Sequence, residues 1–147
     1  MSDGLVRNVD SIQLRVSDLE AGLAFYRDKL GHTLIWRSKS AVGLRMLDSG
    51  AELVLQIDRP GPEIDLKVES ADAAAILFAE AGGVIRVPPF DIQVGRCVIV
   101  ADPWGNEFVL LDLSKGLLRT DEAGNVIGNE PPRDPIATPR KTPPAPL

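Results

Sequence analysis

Two short segments carry most of the side chains with which this chain could do chemistry. In residues 11–16, SIQLRV, the apolar Ile12, Leu14 and Val16 alternate with Ser11, Gln13 and Arg15, the period of a strand with one apolar face. In residues 63–68, EIDLKV, Ile64, Leu66 and Val68 alternate in the same way with Glu63, Asp65 and Lys67. A carboxyl group in a partly apolar cleft has its pKa raised toward the working pH and can act as a general base. Glu63 and Asp65 are therefore the candidate catalytic residues. If the two strands abut, Arg15 and Lys67 come within reach of Asp65 and Glu63. These charges then either neutralise one another on a polar floor or orient a polar ligand, and both readings stay open.

The remaining reactive side chains are few. Cys97 is the single cysteine, which excludes an internal disulfide and a cysteine-based zinc site. It stands inside an apolar strand, where a buried, inert thiol is expected. The single histidine, His32, follows Gly31 just past a helix end and is expected to serve there as a surface or dipole partner. No nucleophile triad, phosphate-binding glycine loop or dinucleotide fingerprint is present.

The elements that must position these residues follow from the local patterns. After the first strand, Ser17 with Glu20 reads as a capping box, and Leu19, Leu23, Tyr26 and Leu30 share one face of a helix that stops at Gly31. Residues 34–38, 42–47 and 52–57 read as strands, the last two joined by a turn at 48–51. Arg59-Pro60-Gly61-Pro62 is a break. Residues 98–101 and 107–112 read as strands hinged by Asp102-Pro103-Trp104-Gly105-Asn106, a turn in which Gly105 supplies positive φ. Residues 84–93 contain the adjacent Pro88 and Pro89 and are expected to form a loop across a cleft mouth. A last hairpin through Ala123-Gly124-Asn125 is expected within 114–128, followed by a proline-rich, extended tail from residue 129.

The pattern occurs twice. Residues 63–83 lie over 11–31 at an offset of 52 without a gap, and 102–110 cover 48–55 with one residue inserted. Duplication predicts a module at 1–60, a second at 61–118 and a tail at 119–147. With 147 residues, 44% hydrophobic and 25% charged, the chain fits one globular domain or two small modules sharing a core. A formal net charge of −5 without a basic block argues against nucleic acid. No apolar run approaches a membrane span and the first eight residues lack a secretory signal, so a cytoplasmic protein without membrane attachment is expected.

Two motifs carry a resemblance to a known family. Val16-Ser17-Asp18-Leu19-Glu20 leading to Phe25-Tyr26-Arg27-Asp28-Lys29-Leu30-Gly31, together with the DPWGN hairpin, resembles the signature of the vicinal-oxygen-chelate superfamily of glyoxalases, extradiol dioxygenases and bleomycin-resistance proteins. The resemblance runs from about Val9 to Leu113. It implies an α+β fold of two tandem βαβββ modules whose mixed sheet curls around a shared cleft. Metal-using members place one ligand in each first strand and one in each fourth strand. Those positions fall here on Ser11, Glu63, Val54 and Val109, so no metal and no cofactor is expected, since valine offers no lone pair.

Alternation then assigns Ser11, Gln13 and Arg15, with Glu63, Asp65 and Lys67, to the cleft floor. Val54 and Gln56 lie opposite, Val109 and Leu111 form another wall, and Trp36 or Trp104 adds an aromatic surface. The resemblance implies a metal-free binding protein for a small organic molecule, of the drug-sequestering bleomycin-resistance kind, with a cationic ligand suited to the acidity. The alternatives are a lyase or isomerase of the glyoxalase kind using the cleft carboxylates, or a dioxygenase-related enzyme with an unrecognised metal site. A homodimer is implied by analogy.

Overall fold

The computed structural model describes residues 4–130. In chain order these form β1 (Asn8–Arg15), α1 (Leu19–Leu23), β2 (Leu34–Arg37), β3 (Ala41–Arg45), β4 (Glu52–Gln56), β5 (Glu63–Lys67), α2 (Ala71–Glu80), β6 (Val84–Ile92), β7 (Gly95–Ala101), β8 (Glu107–Leu111), β9 (Leu118–Thr120) and β10 (Val126–Asn129). Eight strands make one mixed sheet in the order β2-β3-β4-β1-β5-β8-β7-β6. The order is symmetric about its centre. β1 pairs parallel with β4 and β5 parallel with β8, while β1 and β5 meet antiparallel, so two βαβββ units join at their first strands. No helix among the described residues is long and apolar enough to cross a membrane.

Period-two alternation divides each strand between a helix-covered face and a cleft face. Leu14, Leu53 and Leu55 pack with Leu19 and Leu23 beneath α1, and Leu66, Val98, Val100 and Leu110 pack with Ala71, Ala74 and Ala75 beneath α2. The intervening positions, among them Cys97, Val109 and Leu111, cluster on the opposite face. Two small cores thus hold one curled sheet, and the cleft lies on the side without helices.

Three local expectations change. The helix cap is Asp18, not Ser17: the Asp18 carboxylate accepts from Ala21 N–H at 2.8 Å, and Glu20 pairs instead with Arg37 at 2.8 Å. The helix widens into a π turn at Ala24–Lys29, with Leu30 N–H donating to the Phe25 carbonyl. A wider turn rotates less per residue, which carries Leu30 off the buried face to 54% exposure. Residues 84–92 are a strand, β6, not a loop. Its two register shifts against β7 and its place at the sheet's edge accommodate Pro88 and Pro89, whose missing donors would break a central strand.

The expected C-terminal hairpin is present as β9 and β10. Its Asp121-Glu122-Ala123-Gly124-Asn125 turn repeats the hydrogen bonds of Asp102-Pro103-Trp104-Gly105-Asn106: each aspartate accepts from backbone N–H groups two and four residues on and from the asparagine amide. Beyond Glu130, the expected proline-rich tail lies outside the described residues.

Candidate ligand-binding cleft

Strand register sets the floor of the cleft. Ser11 stands between Glu52 on one side and Asp65 on the other, and the row continues through Val109 to Ile99. One step along β1, Gln13 stands between Val54 and Glu63. These rows line a cavity of about 500 Å³. Its polar end holds Asp10, Ser11, Gln13, Glu52, Arg59, Glu63 and Asp65; its apolar wall includes Trp36, Val54, Phe90, Ile99, Val109 and Leu111.

Asp65 is the most constrained group. It is 3% exposed, and its Oδ2 accepts from Ser11 Oγ at 3.1 Å and from Gln13 Nε2 at 2.7 Å. Its Oδ1 is buried without a donor. Burial, then the adjacent Glu63 carboxyl and the charge of Asp10, push the Asp65 pKa up to about 8, against a smaller opposing effect of the Gln13 amide. Protonation explains the orphaned oxygen: a hydroxyl at Oδ1 donates where a carboxylate oxygen would find only another acceptor in Glu63. Glu63 is held in turn by Arg59, Nε to Oε1 at 3.1 Å. Arg59 Nη2 also donates to Gln13 Oε1. The result is an Asp65 carboxyl that favours its protonated form, beside a Glu63 carboxyl braced by a guanidinium.

The second acidic pole is Glu52, 3% exposed, which accepts from Trp36 Nε1–H at 2.7 Å. Glycine at position 43 makes this possible, because a Cβ there would overlap the Trp36 indole at Nε1. Cys97 also lines the cavity. Burial first, then the charges of Asp65 and Glu63, push its thiol up to about 12, so it stays protonated and weakly nucleophilic.

Of the residues expected in the cleft, Ser11, Gln13, Val54, Glu63, Asp65, Val109 and Leu111 line the cavity, as does Trp36. Arg15, Gln56, Lys67 and Trp104 are not among its lining residues. Because β1 and β5 run antiparallel, Arg15 and Lys67 diverge to opposite ends of the pair. Arg59 supplies the cation expected of them. Gln56 is buried but spends its amide on the following turn, donating to Arg59 C=O at 2.7 Å and accepting from Asp58 and Arg59 N–H. Trp104 projects from the β7–β8 turn at 83% exposure. Strand alternation missed Arg59 and Asp10, although parity with Val54 points to Glu52 and parity with Val109 points to Cys97 and Ile99.

The donors do not fit the metal of the chelating relatives. Ser11, Val54, Glu63 and Val109 all face the cavity, yet together they offer one hydroxyl and one carboxylate. Among the described residues no group of three or more His, Cys, Asp or Glu side chains is arranged to hold a metal ion. His32 lies outside the cavity lining, with Nδ1 3.0 Å from the Arg45 carbonyl oxygen.

Comparison with known proteins agrees with the topology. None of the curated proteins compared with the chain matches it. Among solved structures, methylmalonyl-CoA epimerase from Mycobacterium tuberculosis is similar at a TM-score of 0.60 and 20% identity, covering 76% of this chain and 91% of that one. The Streptomyces coelicolor methylmalonyl-CoA epimerase, in complex with 2-nitronate-propionyl-CoA, gives 0.61 at 18% identity, over 73% and 97%. An extradiol ring-cleaving dioxygenase from B. fuscum gives 0.53 at 20% identity, over 74% of this chain but only 33% of its own length. These likenesses show a shared fold. A sequence model of the Glyoxalase/Bleomycin resistance protein/Dioxygenase superfamily matches residues 8–110, and the chain belongs to that superfamily.

Proposed function

We propose that the cleft binds a small organic cation with an apolar body, without a metal, as a drug-sequestering protein of the bleomycin-resistance kind would. The observation that carries this reading is the acidity of the polar end: four carboxyl groups, Asp10, Glu52, Glu63 and the proton-holding Asp65, share it with Arg59, the one cation among the described lining residues, beneath a largely apolar wall. Low-dielectric walls focus such a field on a cation, and the wall accepts its hydrocarbon part. The family description includes bleomycin-resistance proteins, which supports the same reading. A homodimer in the cytoplasm remains part of the proposal, and sedimentation velocity tests the assembly.

Cys97 provides the test, because it lies in the cavity wall and is the only cysteine. A methanethiosulfonate with a trimethylammonium head should label it at least roughly tenfold faster than one with a sulfonate head, each rate normalised to the urea-unfolded chain. Equal normalised rates would remove the cation. Titration with nickel, zinc, manganese, cobalt and ferrous iron should leave the melting temperature unchanged, whereas a rise tracking metal concentration would overturn the metal-free part.

A second reading is favoured by the buried Asp65 carboxyl, whose raised pKa beside Glu63 suits acid-base work in a lyase or isomerase. The likeness to epimerases supports it at the level of fold. Turnover of a candidate substrate that survives in both Asp65→Asn and Glu63→Gln would exclude this role.

A further inference from the structure

The family match ends at residue 110, but the cavity does not. Leu118 on β9 and Val126 on β10 are part of its lining. The hairpin that carries them is fastened near both free edges of the curled sheet, since β2 and β6 are the outermost strands. On the β2 side, Arg37 N–H donates to the Gly124 carbonyl at 2.8 Å. Here the turn lies so close that a Cβ at Gly124 would stand 3.5 Å from Leu34 Cδ2 and 3.6 Å from the Ile35 carbonyl. On the side of the β6–β7 turn the segment entering the hairpin is tied by backbone, Lys115 N–H to the Val94 carbonyl at 2.9 Å, and the hairpin's own last strand by side chains. Asn129 Nδ2 donates to the Gln93 carbonyl at 2.8 Å, and the Gln93 amide donates back to Asn129 Oδ1.

Covering the edge of β2 would by itself account for the first attachment, because an unpaired strand edge invites association. It does not account for the second attachment on the far side of the cleft, nor for two apolar side chains in the cavity wall. We infer that the C-terminal hairpin sets which ligands fit: Leu118 and Val126 limit the bulk of the apolar body, and the Gln93–Asn129 pair holds that wall in place. The inference rests on reading the cleft as a site for an organic cation. It makes Leu118 and Val126 specificity-determining residues outside the segment shared with the family. Releasing the side-chain fastening leaves the Lys115–Val94 backbone bond as the tie at that end, which loosens the wall and widens the slot; enlarging Val126 narrows it.

Labelling of Cys97 in the full chain reads the slot without any known ligand. Two methanethiosulfonates of equal charge and unequal bulk are compared, one with a trimethylammonium and one with a tripentylammonium head, each normalised to the urea-unfolded chain. The wild type should favour the smaller reagent. Asn129→Ala should reduce that preference by roughly tenfold, the scale expected for losing one or two hydrogen bonds, and Val126→Phe should increase it. Equal normalised rates in the wild type, or a preference that neither variant moves while far-UV circular dichroism is unchanged, overturns the inference. If Asn129→Ala loses its fold, Val126→Phe decides alone, and an unchanged preference overturns it. A failure of the cation reading shows separately, as equal labelling by trimethylammonium and sulfonate reagents.

Discussion

Asp65 keeps its proton because burial and two acidic neighbours, Glu63 and Asp10, make its carboxylate costly. Its pKa is about 3.9 in an unfolded chain and about 8 in the native one. Between those values the native chain holds a proton that the unfolded chain lacks. Stability therefore falls as pH rises through this window and stops falling from this cause above about pH 8. In Asp65→Asn an amide nitrogen takes the place of the donating hydroxyl toward Glu63, and the amide oxygen still accepts from Ser11 and Gln13. Urea unfolding at pH 5 and pH 8 should show the wild type losing ~2–4 kcal/mol more than this variant across the interval. Equal losses would mean that Asp65 is ionised at neutral pH. Glu63 and Asp65 were legible in the sequence because a strand's period fixes which side chains share a face. Arg59, which braces the pair, was not, because it lies in a break where no period operates and its direction is set by the Gln56 amide holding the turn.

Among the elements, those with one dominant local signal were the readable ones. The strands at the centre of the sheet alternate cleanly, and their bounds differ from expectation by a few residues. β6 was misread because two prolines argue against a strand only when every donor is needed, and at an edge with register shifts they are not. The π turn after α1 leaves no mark in a pattern that a regular helix fits equally well. The final hairpin was readable at its glycine, and its turn shares D-x-x-G-N with the family hairpin. The two turns make the same hydrogen bonds in different settings, which separates their consequences. Asp102→Ala loosens the connection between β7 and β8, inside the main sheet, and should lower the global unfolding midpoint. Asp121→Ala acts on a two-stranded piece at the margin, and should leave that midpoint nearly unchanged while hydrogen exchange at residues 118–129 accelerates. A global loss from Asp121→Ala equal to that from Asp102→Ala would make the hairpin part of the cooperative core.

At the scale of the molecule, the offset of 52 residues in the sequence corresponds to the symmetry of the sheet, in which each unit ends at the first strand of the other. The seam is not a passive join. β1 and β5 pair along it from Asn8 opposite Lys67 to Gln13 opposite Glu63, and the bonds that shape the floor, Ser11 and Gln13 to Asp65, cross it. Each unit by itself would leave one edge of its first strand unpaired, and such an edge templates association. Because the seam is antiparallel, one first strand can replace the other in a self-pairing about a two-fold axis. Separately produced fragments 1–60 and 61–130 should therefore each be associated or poorly folded alone, and should form a one-to-one complex when refolded together. Light scattering and circular dichroism of the fragments and their mixture test this. A stable, folded monomer of 1–60 would mean that the first unit needs no partner strand, and the cleft would then be a docking of two independent folds. A one-to-one complex in which Cys97 regains the labelling rate of the intact chain would show that the two units rebuild one cavity across the seam, since Ser11 and Gln13 of one and Cys97 of the other line it together.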